Sequence, residues 1–428
     1  MINKELEEKL QKFDPELSAQ VQRSFDRQIT SLSLIATDSA SSPLAQYLKG
    51  SALGNDFDGH NPLTHRSHIE MLATERIRAL FGAEHAIIRT ANTAAASRVV
   101  LLALLKPGET VLSFNLRKQK YCRGSHMKYN FVKFAVEPDT LQINFRKLRY
   151  LAMRNKPTVI VCSATNYPKN IDYKTLRAIA DECGAKLWID LNQNAGLVAA
   201  KLIESPVPYA DVVTFSTGDA LHGPHAGIIL SKQYLAETLK QTLIDSGYSS
   251  VRKNVFAALA VTLKEISGVE YEDFSQAVLD NARALENGLK KSGVDVINAP
   301  TENHLVIVRL KNNQDGAAVA KRLEKGGLLV KAEPLMTADD QINYPILRLS
   351  SLDPTTRALG SEDMFTLGMA LGEFLNSSQD EHAIDGFKMI IQEMVENLPL
   401  FSEDWLPESE IMHEQDNALM MKAMIYGM

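Results

Sequence analysis

Thr158-Val159-Ile160-Val161-Cys162 is followed by the segment Tyr173–Cys183 and then by Lys186-Leu187-Trp188-Ile189-Asp190. The outer runs are short and apolar at consecutive positions. The segment between them has the spacing of a helix, so the unit reads strand, helix, strand. Strands apolar on both faces belong in a mostly parallel sheet covered by helices on each side. The same alternation continues outward from this unit. Thr110-Val111-Leu112 and Phe131-Val132-Lys133-Phe134 lie upstream, and Val212-Val213-Thr214-Phe215 and Gly227-Ile228-Ile229-Leu230 lie downstream. Helices are predicted over Ile69–Leu80, stopped by Gly82, and from about Thr93 to Leu105, ahead of Pro107-Gly108.

A long helical stretch, about Val251 to Leu289, leads away from this sheet. Leu305-Val306-Ile307-Val308 and Ile346-Leu347-Arg348-Leu349 then bracket a further helix, which gives a smaller α+β domain, and a helix over Asp385–Leu398 ends at Pro399. The expected organisation is an N-terminal arm (1–45), a large α/β domain (46–265), a small domain (266–401) and an acidic, Met-rich tail (402–428). Of the 428 residues, 45% are hydrophobic and 23% charged, which suits an ordinary globular protein. With a net charge of −6 and no basic tract longer than Arg117-Lys118-Gln119-Lys120, a nucleic-acid partner is not expected. Three cysteines without a CxxC pair fit a reducing cytoplasm. Neither a signal peptide nor a membrane-spanning apolar run is visible.

Several ordered segments narrow the reading. Leu34-Ile35-Ala36-Thr37-Asp38 is followed by Ser42-Pro43. Then come Leu80-Phe81-Gly82-Ala83, Lys106-Pro107-Gly108-Glu109-Thr110-Val111-Leu112, and Asp190 with Ala195-Gly196-Leu197-Val198-Ala199. Pro206-Val207-Pro208-Tyr209-Ala210-Asp211 and Asn303-His304-Leu305 complete the set. In this order they resemble the LIASEN, LFGA, EPGDTVL and DMAHVAGLVA runs of serine hydroxymethyltransferase, a fold-type-I pyridoxal-phosphate enzyme. The resemblance extends from about residue 5 to 401. It implies a fold-type-I, aminotransferase-like architecture and a homodimer, with the N-terminal arm in the interface.

The resemblance also marks departures. The family's lysine loop, THKTLAGPRGG, corresponds here to Thr217-Gly218-Asp219-Ala220-Leu221-His222-Gly223-Pro224-His225-Ala226-Gly227, which puts Asp219 at the lysine position. A carboxylate cannot form a Schiff base, so covalently bound pyridoxal phosphate is not expected unless another amine, Lys118 or Lys120, takes over. The phosphate cup Ser-Gly-Ser corresponds to Asn92-Thr93-Ala94. No histidine stands in Lys118–Cys122 to stack on the ring, and Gln193 and His225 replace a His and an Arg. About seven residues around Asp58–Leu63 are missing, and tyrosines that line the folate site go with them. Asp190, the family's partner of the pyridinium nitrogen, is either a strand-end cap or a polar group of the site. Arg348 corresponds to the residue that binds the substrate carboxylate; it serves an anion here or a structural ion pair. Ser163 and Thr217 are expected to offer hydroxyls to the same cavity.

If Asp219 and Asp190 share that cavity, one takes up a proton or a cation sits between them. His222 and His225 then become candidate ligands of a divalent metal with Asp219, and the resemblance implies that His60, His65 and His68 lie on the segment that reaches the partner's pocket in the family dimer. Three readings follow. The first is a pseudoenzyme, a dimer that binds a ligand or a partner. The second is a lysine-independent enzyme of a biosynthetic pathway, with or without metal, that uses Asp219 on an amino-acid-like substrate. The third is an altered hydroxymethyltransferase with a substitute amine. Residues 402–428 either dock into a protein partner or pack on the protein's own surface.

Overall fold

The computed structural model describes residues 4–55, 67–114, 129–137, 142–163, 167–191, 194–248, 251–297, 299–311, 314–336 and 343–407. The chain opens with α1 (Lys4–Phe13) and α2 (Pro15–Thr30). Asp14 separates them, and its side chain accepts from Leu17 N, capping α2 at the point where Pro15 can no longer donate. A short strand, β1 (Leu32–Ser33), pairs in parallel with Leu328–Leu329 near the far end of the sequence.

After α3 (Pro43–Lys49) and α4 (His68–Phe81) the large sheet begins. Ser67 caps α4, and Gly82, at φ 65°, ends it where the sequence predicts. Next come β2 (His85–Thr90), α5 (Thr93–Leu104), β3 (Thr110–Phe114), β4 (Asn130–Phe134), α6 (Phe145–Asn155), β5 (Val159–Ser163) and α7 (Tyr173–Cys183). They are followed by β6 (Lys186–Asp190), α8 (Ala195–Ala199), β7 (Val212–Ser216), α9 (Thr217–Ala220), β8 (Gly227–Ser231) and α10 (Ala236–Asp245). The strand order is β2-β8-β7-β6-β5-β3-β4. Strands β3 to β7 run parallel, whereas β8 is antiparallel to β7 and β2 to β8.

The six predicted strands are present, and β2 is an addition. Arg89 interrupts its apolar pattern, yet it is buried because its guanidinium meets Glu70 of α4 twice, Nε to Oε1 at 2.6 Å and Nη2 to Oε2 at 2.5 Å.

The expected single helix over 251–289 is two, α11 (Lys253–Glu265) and α12 (Val269–Lys291), broken at Gly268, whose extended backbone starts the second. A four-stranded antiparallel sheet follows, ordered β12-β13-β10-β9, from β9 (Val296–Ile297), β10 (Leu305–Arg309), β12 (Lys331–Met336) and β13 (Asn343–Ser350). The helix predicted inside it is α13 (Gly316–Lys325), and Leu328–Leu329, the partner of β1, is β11. Then come α14 (Leu352–Thr356), α15 (Ser361–Asn376) and α16 (Glu381–Val395). The last begins four residues earlier than expected because Asp380 caps it, accepting from Ala383 N.

One core gathers the large sheet, α4, α7, α11 and the first half of α12. A second gathers the rest of α12 with α13, α15, α16 and the small sheet, and takes in Leu32 and Leu34 from the arm. The body does not end at Phe401. Ser402 N donates to Thr356 O, Trp405 packs on the first core, and Leu406 is buried. Of the expected tail, 402–407 are therefore built into the protein, and 408–428 lie outside the described residues.

Helices α12 and α15 meet backbone to backbone. A Cβ on Gly368 would lie 2.5 Å from the Leu285 carbonyl oxygen, and one on Gly288 would collide with the Phe365 carbonyl. Gly288→Ala or Gly368→Ala must therefore push the helices apart. Overpacking of this kind costs about 1–3 kcal/mol, so each variant should unfold at a clearly lower denaturant concentration. An unchanged midpoint would show that the helices can separate freely.

Candidate functional site

The candidate residues gather where the large sheet's parallel strands end. Ser163 closes β5, Asp190 closes β6, and Thr217 follows β7. Register ties them together: Ser163 faces Asp190, Asp190 faces Thr214, and Gly227 at the start of β8 faces both Ser216 and Thr90. Asn92 and Thr93 open α5 just past Thr90. In open α/β sheets this carboxyl edge is where ligands bind.

Asp190 is 1% exposed. Ser163 Oγ donates to its Oδ2 at 3.2 Å and Thr214 Oγ1 to its Oδ1 at 3.3 Å, while Thr214 accepts from the Trp188 indole at 2.9 Å. A carboxylate taken out of water needs such donors. The neighbouring Cys162 thiol is pushed up to about 12, first by burial and then by the charge of Asp190. The Ser163 hydroxyl, expected to line the cavity, donates to Asp190. The sequence reading missed Thr214. Its strand register beside Asp190 was the only available signal.

The loop after β7 is stapled to itself. Thr217 N donates to Ala226 O, Thr217 Oγ1 to Pro224 O at 2.5 Å, and Gly223 N to Thr217 O. Thr217, expected to offer its hydroxyl to the cavity, staples the loop. Asp219 is half-buried in the first turn of α9, whose N-terminus Ser216 caps by accepting from Gly218 N. A carboxylate in a first helical turn is favourably placed.

His222 is buried and turned towards the arm, with Nδ1 2.8 Å from Ala40 O and 3.0 Å from Ser39 Oγ. Rings of Tyr271, Phe274 and Phe401 surround it edge-on. His225 is exposed, its ring set so close to Gly218 that a Cβ there would strike it. Asp219, His222 and His225 do not converge, and among the described residues no three or more His, Cys, Asp or Glu side chains gather in a metal-binding group.

At the start of α5, Asn92 Oδ1 accepts from Ala95 N at 2.9 Å, so this residue spends its side chain on its own helix. The Asn92 carbonyl abuts Gly227 so closely that no Cβ would fit there. Arg348 lies mid-strand in β13, 2% exposed, paired in register with Ile307 and Lys331. His304, whose Nδ1 is 2.9 Å from Ser350 Oγ, is pushed down to about 3, first by burial and then by the Arg348 charge. Gln193, Lys118, Lys120, His60 and His65 lie outside the described residues, and His68 is exposed at the start of α4.

This strand-end constellation lies inside a longer match: the family model for serine hydroxymethyltransferase covers residues 10–371. The chain belongs to that family. Its large, mostly parallel sheet flanked by helices is the family's fold-type-I arrangement. The match ends within α15, so α16 and the residues up to Pro407 lie beyond it. Among the described residues no helix is long and apolar enough to cross a membrane.

The two buried histidines give the protein an acid sensitivity. Burial depresses His222 to about 4 and His304 to about 3 from an ordinary 6.5, so both stay neutral while an unfolded chain's histidines take up protons. Their stabilising effect is complete above pH 6.5 and is lost as pH falls towards 4, at roughly 1.4 kcal/mol per pH unit per group. Asp353 opposes them. Burial raises it to about 6, so the folded state binds that proton before the unfolded chain does. With two groups against one, the melting temperature should fall from pH 6.5 to 4, and His222→Phe should flatten the fall. A melting temperature independent of pH over this range would contradict the burial of these rings.

Proposed function

We propose that this family member has lost lysine-dependent pyridoxal-phosphate catalysis and works as a homodimer that binds a small carboxylate-bearing ligand or a protein partner. The observation that carries this reading is the chemistry at position 219. The staples at Thr217, Gly223 and Ala226 hold the loop in register, and the side chain it presents in the first turn of α9 is a carboxylate. The family's cofactor does not fit this donor set. Asp219 has no amine with which to form an imine, Asn92 already caps Ala95 N, and Ala94 carries no hydroxyl. Asp190, with its hydroxyl donors, and the buried Arg348 remain, and they support a site that still recognises a polar, anionic ligand.

The same array favours a second reading, a lysine-independent enzyme in which Asp219 acts as acid or base on an amino-acid-like substrate. Half-buried Asp219 at the open end of the strands is the feature behind it. The turning of His222 towards Ala40 weighs against a metal-assisted version built on Asp219, His222 and His225.

Borohydride reduction of the protein with pyridoxal phosphate should leave no pocket lysine stoichiometrically modified, and the spectrum should lack an aldimine band. A single lysine adduct found by mass spectrometry would overturn the reading. Asp219→Lys alone should not restore serine cleavage, because the altered phosphate cup remains. Sedimentation should give a dimer at micromolar concentration, and a monomer alone would remove the dimer from the proposal.

A further inference from the structure

Beyond the family match the chain runs through α16 and then returns to the body as a strap, residues 399–406, which ends in a 3-10 turn at Glu403–Trp405. Three polar contacts pin it along α14. The buried Arg357 donates through Nε to Pro399 O at 3.1 Å, Ser402 N donates to Thr356 O at 2.8 Å, and Trp405 Nε1 donates to Thr355 O at 2.8 Å. The accepting carbonyls of Thr355 and Thr356 sit at the C-terminal end of a short helix, where intrahelical donors run out. Arg357 also donates to Ser31 O at 2.7 Å, so one guanidinium fastens both the strap and the arm.

From this anchored line two rings reach inward. Trp405 packs edge-on against Phe274, centroids 5.3 Å apart, and Phe274 packs in the same manner on His222 at 4.7 Å. Phe401 reaches His222 directly at 5.6 Å and closes the imidazole from the strap side. His222 is the third residue after Asp219, and it holds a left-handed φ of 55°, which is uncommon for a residue with a side chain. On the other side the arm holds the same loop: His222 Nδ1 meets Ala40 O, and Ser41 Oγ donates to Gly223 O at 3.0 Å.

We infer that Phe401 and Trp405 are positioning residues for the loop that carries Asp219, and that the strap clamps His222 against the arm. The loop's own staples at Thr217 fix its base, and the strap fixes its far turn. The C-terminal segment is thereby coupled to the site, through contacts that lie outside the span shared with the family. The coupling concerns the loop's geometry and holds whether or not the lysine chemistry has been lost.

Hydrogen–deuterium exchange of the full chain tests this. Phe401→Ala and Trp405→Ala should each speed exchange of the amides in 217–227 by at least tenfold, with β5 and α13 unchanged. Trp405→Phe keeps a ring on Phe274 and should restore most of the protection. Should an alanine variant fail to fold, Phe401→Leu, which fills the space without an aromatic edge, is read in the same way. Unchanged exchange in 217–227 would overturn the inference. So would a uniform rise through β5 and α13, because that marks general loss of stability rather than release of the loop.

Discussion

Along α12, Tyr271, Phe274 and Val278 pack into the core of the large sheet, and further on Ala282, Leu285 and Leu289 pack into the core of the small one. A helix buried at both ends cannot shift towards one core without opening the other, since interiors are packed at crystal-like density. Between the two groups the buried Asn281 donates to Thr355 Oγ1 and Leu359 O, which fixes α14 against α12. The strap and Arg357 then use α14 as their base, and the arm is tied to the same point through Ser31. The aromatic cluster around His222 is consequently held by elements from three distant parts of the sequence.

Within that frame the strand-end site has two kinds of polar group. Asp190 is committed inward: two hydroxyls and a dry environment hold it, and the indole behind Thr214 orients one of those hydroxyls. Asp219 is half-buried, and staples between Thr217, Gly223 and Ala226 fix the loop around it. Arg348, buried in the small sheet, lies beside a histidine kept neutral.

Much of the fold was legible in the sequence because buried parallel strands leave a mark that composition cannot hide. The runs at 110, 131, 158, 186, 212 and 227 are mostly apolar, all but the last in parallel strands, and Gly82 stops α4 as a left-handed cap must. What escaped was set by partners distant in sequence. Strand β2 carries an arginine that is buried only because Glu70 meets it, and the break between α11 and α12 lies at a glycine inside an otherwise helical pattern. In the site, the residue types at strand ends could be read, but not the direction of each hydroxyl. Ser163 and Thr217 look alike as donors in the sequence, yet one serves Asp190 and the other closes its own loop. His222 looked like a loop ligand because nothing local announces Phe274, Phe401 or Ala40 as its neighbours.

The proposed loss of the lysine is compatible with full retention of the fold, and the geometry gives the reason. The strands are specified by side chains in the two cores and by close backbone approaches such as Gly227 against Asn92, none of which involves position 219. In the first turn of α9 an aspartate is, if anything, better suited to the helix N-terminus than a cation. Fold and site chemistry are thus specified largely by different residues. Asp190 differs in this respect. It is buried and accepts from Ser163 and Thr214, so removing its carboxylate would take an acceptor from two hydroxyls in a dry interior. Packing and hydrogen bonding thus constrain Asp190 whether or not a ligand is bound.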